Sequence, residues 1–447
     1  MSHAVPASET DAQAAAAAPG APLLEVRNLE THFPVRSSLF GRGENLVVRA
    51  VDGVSFDVKA GEVFGLVGES GSGKTTLGRS VLKLVEPTGG SVRYRGRDLV
   101  PLAEREMRPL RRELALIFQD PNASLNPAMT IGQGVGHPLR IHGLASSRNE
   151  ARAQVRDMLD RVGLNPPEAF LDKYPEDVSG GQKQRVVIAR ALITSPKFVV
   201  ADEPVAALDM SVRARVLELM LELKRDLDLT YLFITHDLAT ARFLCDRIGI
   251  LYLGRFAEWG DTDRLFDDPQ HPYTRALLDA IPLPDPSRRD RVKELPRGEI
   301  PDALRPPLGC RFHPRCPVAF APCGWEGRDL IDALEDRWTE VDEDTFEREL
   351  ALVGDLGSAD VAEDHVRFGS GSPELAQWLK DQGEHLPTSV FSAVQDVESG
   401  PDGVTVRFGP GPEPDEQHVA GREVACHLHG VTARPDGLHV GDPGDRR

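Results

Sequence analysis

The stretch GESGSGKTT, residues 68–76, follows the apolar segment VFGLV (63–67) and opens a segment with helical composition, TTLGRSVLKLV (75–85). Its three glycines let the backbone curl so that successive N–H groups point at phosphate oxygens. Lys74 adds a positive charge for the β- and γ-phosphates, and Thr75 adds a hydroxyl for Mg²⁺. A strand, a glycine loop and a helix in this order predict a nucleotide site rather than a chance turn. The residues expected to contact nucleotide here are Gly68, Ser70, Gly71, Ser72, Gly73, Lys74, Thr75 and Thr76.

Two carboxylates complete such a site when they stand at the end of a buried strand. The run FVVADE (198–203) places Asp202 to hold Mg²⁺ through water and Glu203 beside it as general base for the attacking water. Adjacent acids at a strand end also occur as solubilising residues, but the glycine loop upstream favours the catalytic interpretation. His236, after the apolar run YLFIT (231–235), is expected to sense or orient the γ-phosphate and the water.

Composition limits the classes of partner. The chain has 447 residues, 40% of them apolar, and a formal net charge of −18. A strongly acidic chain is a poor ligand for nucleic acid or for an anionic membrane surface, since both require a basic face. Neither a signal peptide nor an apolar run of the roughly 20 residues that span a bilayer is evident in the sequence. We expect a cytoplasmic protein of two to three domains, in which thiols stay reduced.

Residue patterns divide the chain further. Alternating apolar residues in 23–33 and 48–58 predict antiparallel strands, and the continuous apolar runs 198–203 and 231–237 predict parallel strands covered on both faces. Residues 122–174 have a helical pattern. Residues 1–22 are expected to form a disordered Ala/Pro tail.

Six motifs stand in one order along the chain. They are the glycine loop, Gln119 in IFQDP (117–121), VSGGQKQR (178–185), VVADEP (199–204), ALD (207–209) and ITHD (234–237). From Leu23 to about Asp268 the chain therefore resembles the ATP-binding-cassette (ABC) family. The resemblance implies an α/β fold, residues 23–268, in which an ABC-type nucleotide-binding domain combines a parallel P-loop sheet core, an antiparallel β subdomain and a helical subdomain at about 120–178.

The same resemblance implies roles for residues outside the glycine loop. Gln119 couples Mg²⁺ to a partner membrane subunit and counts among the catalytic residues with Glu203 and His236. Asp209 lies in a loop that faces the other cassette of a dimer. A second helix N-terminus closes on the nucleotide of the opposite subunit, and it is formed by Ser179, Gly180, Gly181 and Gln182. ATP is then held between two cassettes.

Two positions depart from the family pattern or leave a choice open. Ala206 stands where the family usually has serine, which removes one hydrogen-bonding group from the dimer contact. In the branch of the ABC family that this chain resembles, the aromatic residue that stacks on adenine lies about forty residues before the glycine loop. His32 and Phe33 both qualify, and the sequence does not choose between them.

Further segments resemble the ATPase subunits of dipeptide and oligopeptide importers, the peptide/nickel branch. They are FQDPNASLNPAMTIG (118–132), YLGRFAEWG (252–260) and HPYTRALLDAIPLPDP (271–286), and their forms are closer to the second of the two paralogous ATPases. The resemblance implies a heterodimer with the paralogous ATPase, two integral membrane permease subunits, an extracellular solute-binding protein and a place at the cytoplasmic face of the membrane. A soluble ABC-type ATPase outside transport, redox-regulated through its cysteines, is the alternative.

The C-terminal part carries four of the five cysteines. In that branch the tail commonly holds four cysteines, and here they are Cys310, Cys316 and Cys323 in GCRFHPRCPVAFAPC (309–323), with Cys426 in EVACHL. Some relatives bind a [4Fe–4S] cluster with these thiolates, so the resemblance implies a cluster, with zinc or unligated thiols as alternatives. We expect residues 269–326 and 421–447 to form a cysteine-containing domain, with an acidic segment, residues 327–420, inserted between them. His313 is expected to support the site and Cys245 to be a packed core thiol.

Overall fold

The computed structural model describes residues 21–35, 46–281, 296, 298–369, 373–385, 390–401, 403–409 and 411–430. The chain divides into two compact units, residues 1–266 and 267–447. Residues 1–20 of the predicted tail lie outside the described residues, while Pro22 already begins the first strand. Parts of the predicted cysteine domain, residues 282–295, 297 and 431–447, also lie outside them.

The first unit alternates strands and helices along the chain. Its strands are β1 (Pro22–Val35), β2 (Leu46–Lys59), β3 (Val63–Val67), β4 (Gly89–Tyr94), β5 (Arg97–Asp98), β6 (Leu114–Ile117), β7 (Phe198–Asp202), β8 (Thr230–Thr235), β9 (Arg247–Tyr252) and β10 (Arg255–Asp261). Its helices are α1 (Lys74–Val81), α2 (Glu104–Leu110), α3 (Pro121–Ser124), α4 (Ile131–His142), α5 (Arg148–Arg161), α6 (Glu168–Leu171), α7 (Gly180–Leu192), α8 (Met210–Leu227), α9 (Leu238–Leu244) and α10 (Thr262–Asp267).

Two sheets organise this unit. Strands β2, β1, β4 and β5 form an antiparallel sheet, as the alternating pattern predicted. Strands β10, β9, β3, β8, β7 and β6 lie side by side, and all neighbouring pairs except the antiparallel pair β9–β10 are parallel. The predicted parallel pairing of β7 with β8 is therefore confirmed. Every residue of β3, β7 and β8 is buried, which is why their sequences are continuous apolar runs.

The helical segment after β6 is built from short elements with strong caps. Thr130 and Gln133 form a capping box at the start of α4, and Gly163, at φ +69°, ends the turn after α5. Ser147 caps α5 by accepting from the Glu150 amide, while the Ser146 hydroxyl donates to the Glu150 carboxylate. The helices α3 to α6 thus stand between the Gln119 motif and α7.

The second unit contains its own core. Its elements are α11 (Pro272–Asp279), α12 (Gly327–Glu340), α13 (Glu343–Val353), β11 (Asp360–Val361), β12 (His365–Phe368), α14 (Pro373–His385), β13 (Val394–Gly400), β14 (Gly403–Phe408), β15 (Glu416–Val419) and β16 (Arg422–Ala425). Strands β11, β12, β14 and β13 form an antiparallel sheet within the acidic segment. Leu330, Val366, Phe368, Val404 and Val406 are at most 1% exposed, so this acidic segment has an apolar interior.

Charged and aromatic side chains brace the helices of the acidic segment. Arg337 donates to both carboxylate oxygens of Glu349, the shortest contact being 2.6 Å, and Trp338 Nε1 donates to the same carboxylate at 3.1 Å. The Arg337 guanidinium also lies 5.9 Å from the ring centre of Trp378. Glu349 is 6% exposed, and its charge is neutralised by the hydrogen-bonded Arg337 guanidinium.

Candidate nucleotide site and cysteine site

The glycine loop joins the end of β3 to the start of α1. Gly73 has φ +102°, and a Cβ there would lie 2.0 Å from the carbonyl oxygen of Ala50, so only glycine fits. Lys74 is 5% exposed, and its ammonium group donates to the carbonyl oxygens of Gly68 and Glu69, each at 2.8 Å. Burial lowers the pKa of Lys74, and the charges of Glu203 and Asp202 act against that shift. The Lys74 ammonium group is therefore fixed against the backbone of the loop, where it can bind an anion.

The remaining loop residues fall into two groups by exposure. Ser70 and Gly71 are exposed at the tip, whereas Ser72 is buried and accepts a hydrogen bond from Lys74 at 3.3 Å. Thr76 is half-buried in the first turn of α1. The tip therefore presents backbone to solvent while its base is fixed.

Thr75 and Asp202 meet at the edge of the central sheet. The Thr75 hydroxyl donates to Asp202 Oδ1 at 2.9 Å, and Asp202 is 1% exposed. Burial raises the pKa of Asp202, whereas the Thr75 hydrogen bond and the charge of Arg79 lower it. A hydroxyl and a carboxylate are hard oxygen donors of the kind Mg²⁺ prefers, so this pair fits that ion.

Arg79 is a residue that the sequence interpretation missed. Its Nη2 lies 3.9 Å from Asp202 Oδ2, the oxygen that Thr75 does not use. Thr75 and Arg79 are four residues apart on α1 and thus share one face, which is a signal present in the sequence. Because the Arg79 side chain is 45% exposed, solvent screens the pair.

Glu203 is the meeting point of the predicted catalytic residues. Its Oε2 lies 3.2 Å from Gln119 Nε2 and 3.2 Å from His236 Nδ1, and its side chain is 16% exposed. Its backbone adopts φ +46°, and its amide donates to the carbonyl oxygen of Ile234. Left-handed backbone at a non-glycine residue is strained and persists where the surroundings fix it. The structure therefore brings together three residues that are far apart in sequence around one carboxylate oxygen.

The other predicted phosphate-binding helix has a fixed N-terminus. Ser179 accepts from the Gln182 amide and Gln182 accepts from the Ser179 amide, which forms a capping box at the start of α7, with Gly180 and Gly181 between them. Asp209 likewise caps α8 by accepting from Val212 N, a bond that lowers its pKa. The hydrogen bonds of Ser179 stay within its own helix turn, Ser179 and Gly180 are exposed to solvent, and Gly181 is half-buried.

The two candidates for adenine stacking differ in their surroundings. His32 Nε2 lies 3.0 Å from Asp52 Oδ1, so its ring is held against β2. Phe33 is 41% exposed, so part of its ring is accessible to solvent. Both residues stay candidates, and the difference in exposure favours Phe33.

An apolar groove lies beside Gln119 in the first unit. It has a volume of about 550 Å³ and runs between the end of β6 and the helical segment. Three of its lining side chains are unusually exposed for apolar residues, namely Leu84 at 50%, Phe118 at 38% and Ile141 at 48%. His137 and Arg190 add polar groups to the same groove. Since Phe118 and Gln119 are adjacent, a partner seated here would touch the residue next to one that contacts Glu203.

The four predicted cysteine ligands come together in the second unit. Cys310, Cys316, Cys323 and Cys426 line one cavity, each at most 8% exposed. All five cysteines of the chain are free thiols, and Cys245 is buried in the first unit as expected. Burial raises the pKa of Cys310 to about 11 and that of Cys323 to about 12, so these thiols are protonated at neutral pH.

The cavity itself is small. Its volume is about 10 Å³, roughly the space of one water molecule. In the part of the chain that the structure describes, no group of three or more His, Cys, Asp or Glu side chains is arranged to hold a metal ion. The donor set has the chemistry of a soft-metal site, but the side chains as placed do not form one.

His313 lies at the wall of this cavity. It is fully buried, with Nδ1 2.8 Å from the carbonyl oxygen of Cys310 and Nε2 3.1 Å from Asp329 Oδ2. Sequence reasoning placed His313 in a supporting role but missed Asp329, because their contact joins the cysteine stretch to a segment with no motif.

Comparison with known proteins gives consistent results. A model described as ABC transporter matches residues 51–206, and one described as oligopeptide/dipeptide transporter, C-terminal region, matches residues 257–323. The dimeric structure of a bacterial ABC transporter cassette, MJ0796, is 30% identical, with a TM-score of 0.47, and covers 54% of this chain and 98% of that chain. Within the described ranges, no helix combines the length and the apolar composition needed to cross a bilayer.

Three curated relatives are similar over most of their own length. The putative oligopeptide transport ATP-binding protein YkfD of Bacillus subtilis is 47% identical over 70% of this chain and 93% of its own. The putative peptide import ATP-binding protein BOV_A0347 of Brucella ovis is 50% identical over 68% and 92%, and the oligopeptide transport ATP-binding protein OppF of Escherichia coli is 43% identical over 67% and 90%. From its ordered motifs, the residues gathered at Glu203 and these relatives, the chain belongs to the ABC transporter family, among the ATP-hydrolysing subunits of oligopeptide and dipeptide transporters.

Proposed function

We propose that this chain is the ATP-hydrolysing motor of an importer for oligopeptides or dipeptides, peripheral to the cytoplasmic face of the membrane. The observation that carries the proposal is the convergence of Gln119 Nε2 and His236 Nδ1 on Glu203 Oε2, each at 3.2 Å. A carboxylate held between a hydrogen-bond donor and a histidine is suited to accept a proton from water. Gln119 also adjoins the apolar groove, so a partner bound in that groove can influence the catalytic carboxylate.

Each residue of the site has one task in this proposal. Lys74 exchanges its bonds to loop carbonyls for bonds to the β- and γ-phosphates of ATP, and the loop amides hold the remaining oxygens. Thr75, Asp202 and Gln119 would hold Mg²⁺, which supplies charge neutralisation for the phosphates. Glu203 takes the proton of the attacking water, and His236 positions that water against the γ-phosphate.

The site is completed by a second cassette. We infer that the capped N-terminus of α7, at Ser179 to Gln182, binds the nucleotide held by a paralogous ATPase, while Asp209 faces that subunit. ATP then favours the closed pair, and hydrolysis returns the pair to the open state. The relatives named for peptide import support peptides as the solute class, delivered by an extracellular binding protein to two permease subunits.

Copurification tests this assembly. A tagged full-length chain extracted from its native membranes in detergent should bring with it two integral membrane proteins and a second ATPase. Reconstituted in proteoliposomes, the complex should take up labelled peptides only with ATP on the side of the ATPases. A complex without integral membrane subunits would favour the soluble ATPase instead.

We also propose that the four cysteines of the second unit bind a [4Fe–4S] cluster. The support is the chemistry of the donor set, since four buried free thiols line one cavity. Soft metals prefer sulfur ligands to oxygen ligands. The small cavity means that the side chains must move apart to admit iron. Anaerobic purification with iron, sulfide and zinc analysis decides the matter: four irons per chain support the cluster, whereas stoichiometric zinc or no metal excludes it.

A further inference from the structure

The cysteine loop, residues 309–324, is tied to the first residues of α12 in the acidic segment. His313 connects the two, since its ring lies between the Cys310 carbonyl and the Asp329 carboxylate. A carbonyl oxygen only accepts hydrogen bonds, so Nδ1 carries a proton and donates to Cys310 O, while Nε2 shares a second hydrogen bond with the Asp329 carboxyl group. A buried ring that is hydrogen-bonded through both nitrogens fixes the backbone of Cys310 relative to α12.

Neighbouring bonds reinforce this tie. Asp329 Oδ2 also accepts from the amide of Glu326 at 2.7 Å, and Glu326 Oε1 accepts from the amide of Leu308 at 2.7 Å. Trp325 packs edge-on against His313 with ring centres 4.8 Å apart, and its Nε1 donates to Phe320 O at 2.9 Å. Leu308 before Cys310, His313 between Cys310 and Cys316, and Phe320 after Cys316 are thus hydrogen-bonded to residues 325–329.

The far end of the acidic segment also reaches the cysteine loop. A Cβ on Gly411 would lie 1.9 Å from the Cα of Gly324, and a Cβ on Gly324 would lie 2.8 Å from the Cα of Gly309. Three glycine backbones therefore pass one another at a distance that no other residue permits. The acidic segment leaves the loop at one side and returns to it at the other.

We propose that Asp329 is a positioning residue of the cysteine site, acting through His313 to hold Cys310 and Cys316 at the cavity. The acidic segment is therefore a structural part of the cysteine site rather than a separate appendage. This assignment goes beyond the ATPase function and requires no bound metal. Asp329 has this role because it caps α12 and bonds His313 with one carboxylate, so the fold of the acidic segment and the placement of the thiols depend on each other.

Thiol labelling of the full-length, reduced, metal-free chain tests the proposal. Pulses of iodoacetamide followed by peptide mass spectrometry give a labelling rate for each cysteine. Asp329→Ala and His313→Ala should each raise the rates of Cys310 and Cys316 by about tenfold to a hundredfold, the effect expected from losing a buried hydrogen bond to a charged group. Cys245, in the first unit, should keep its rate.

Two further variants separate positioning from general destabilisation. Asp329→Asn keeps the size of the side chain, but the two contacts of Asp329 share the atom Oδ2, and one asparagine atom cannot both accept from Glu326 N and donate to Nε2, so its labelling rates should lie between those of the wild type and of Asp329→Ala. Asp336→Asn removes an exposed carboxylate from the same helix and should leave the labelling rates of all cysteines at their wild-type values. In the Asp329→Ala, His313→Ala double variant the rates should not exceed those of the faster single variant, since both changes break one contact.

Unchanged rates in both alanine variants, an equal rise in Asp336→Asn, or additive rises in the double variant would overturn the assignment. If an alanine variant loses the thermal transition of the second unit, His313→Gln replaces it. Glutamine keeps one of the two hydrogen bonds, so a smaller rise at Cys310 is expected, and no rise counts against the proposal.

Discussion

The nucleotide site and the cysteine site are assembled in different ways. The nucleotide site takes its phosphate-binding part from nine consecutive residues, 68–76, whose backbone conformation is set by glycine and by a buried strand and helix on either side. The cysteine site takes three thiols from one loop and the fourth from Cys426, beyond the whole acidic segment. A contiguous site forms when its local turn forms, whereas a discontiguous site depends on the fold of everything between its parts.

The largest effect should come from the catalytic carboxylate. Glu203→Gln removes the proposed general base but keeps the contacts that bind nucleotide, so ATP turnover should fall by about a hundredfold to ten-thousandfold while ATP binding is retained. Steady-state hydrolysis and equilibrium binding of a fluorescent ATP analogue measure the two. Glu218→Gln, an exposed change on α8, is the matched control and should leave both unchanged. Retained hydrolysis in Glu203→Gln would contradict the role of base.

A core substitution in the acidic segment should separate the two sites. Phe368 is 1% exposed in β12, so Phe368→Ala should lower the free energy of unfolding of the second unit by about 3 to 5 kcal/mol. Labelling of Cys310 should accelerate, while ATP binding in the first unit stays as in the wild type. Calorimetry with the exposed variant Glu347→Ala as control measures the difference. Loss of ATP binding in Phe368→Ala would show that the nucleotide site shares this dependence.

Adenine stacking offers a smaller test within the nucleotide site. Phe33→Ala should weaken ATP binding by about tenfold, in the range of 1 to 3 kcal/mol that base stacking on an aromatic ring provides. His32→Ala should have less effect, because that ring is already bonded to Asp52. Binding titrations of both variants, with exposed Val35→Ala as control, choose between the candidates. A larger loss in His32→Ala would assign stacking to the histidine.

The smallest effect should come from Arg79. Its contact with Asp202 is long and screened, so Arg79→Met should raise the Mg²⁺ concentration for half-maximal hydrolysis by no more than about fivefold. Arg79→Lys, which keeps the charge, should restore most of that loss. Arg93→Met, an exposed change on β4, is the control and should have no effect. A change in maximal rate without a change in Mg²⁺ requirement would contradict this role.

The sequence was sufficient for those parts of the structure whose physics is local. Glycines at 68 and 73 and the buried runs of β3, β7 and β8 follow from patterns within one element. Glu203 and His236 were predicted from their places after buried strands, whereas Gln119 was reached only through the order of motifs, since no local pattern says that three strand ends will meet. The contact between His313 and Asp329 was missed because Asp329 looks like any acidic residue in the first turn of a helix.

The structure matches the prediction of a four-cysteine metal site only in part. Four cysteines converge as expected, but convergence on a cavity of about 10 Å³ is not coordination. Side chains pack against one another where nothing separates them, and neutral buried thiols pack as small apolar groups. The residue pattern therefore predicted the neighbours correctly, whereas the distances between sulfur atoms depend on what the cavity contains.

The edge-on packing of Trp325 against His313 has a practical consequence for spectroscopy. The chain has four tryptophans, at 259, 325, 338 and 378, and the last three belong to the second unit. Three of the four indole rings therefore lie in that unit, and one of them touches the histidine at the cysteine cavity with ring centres 4.8 Å apart. Emission intensity can follow events at the thiols without an added dye, in the same cuvette in which ATP hydrolysis is recorded.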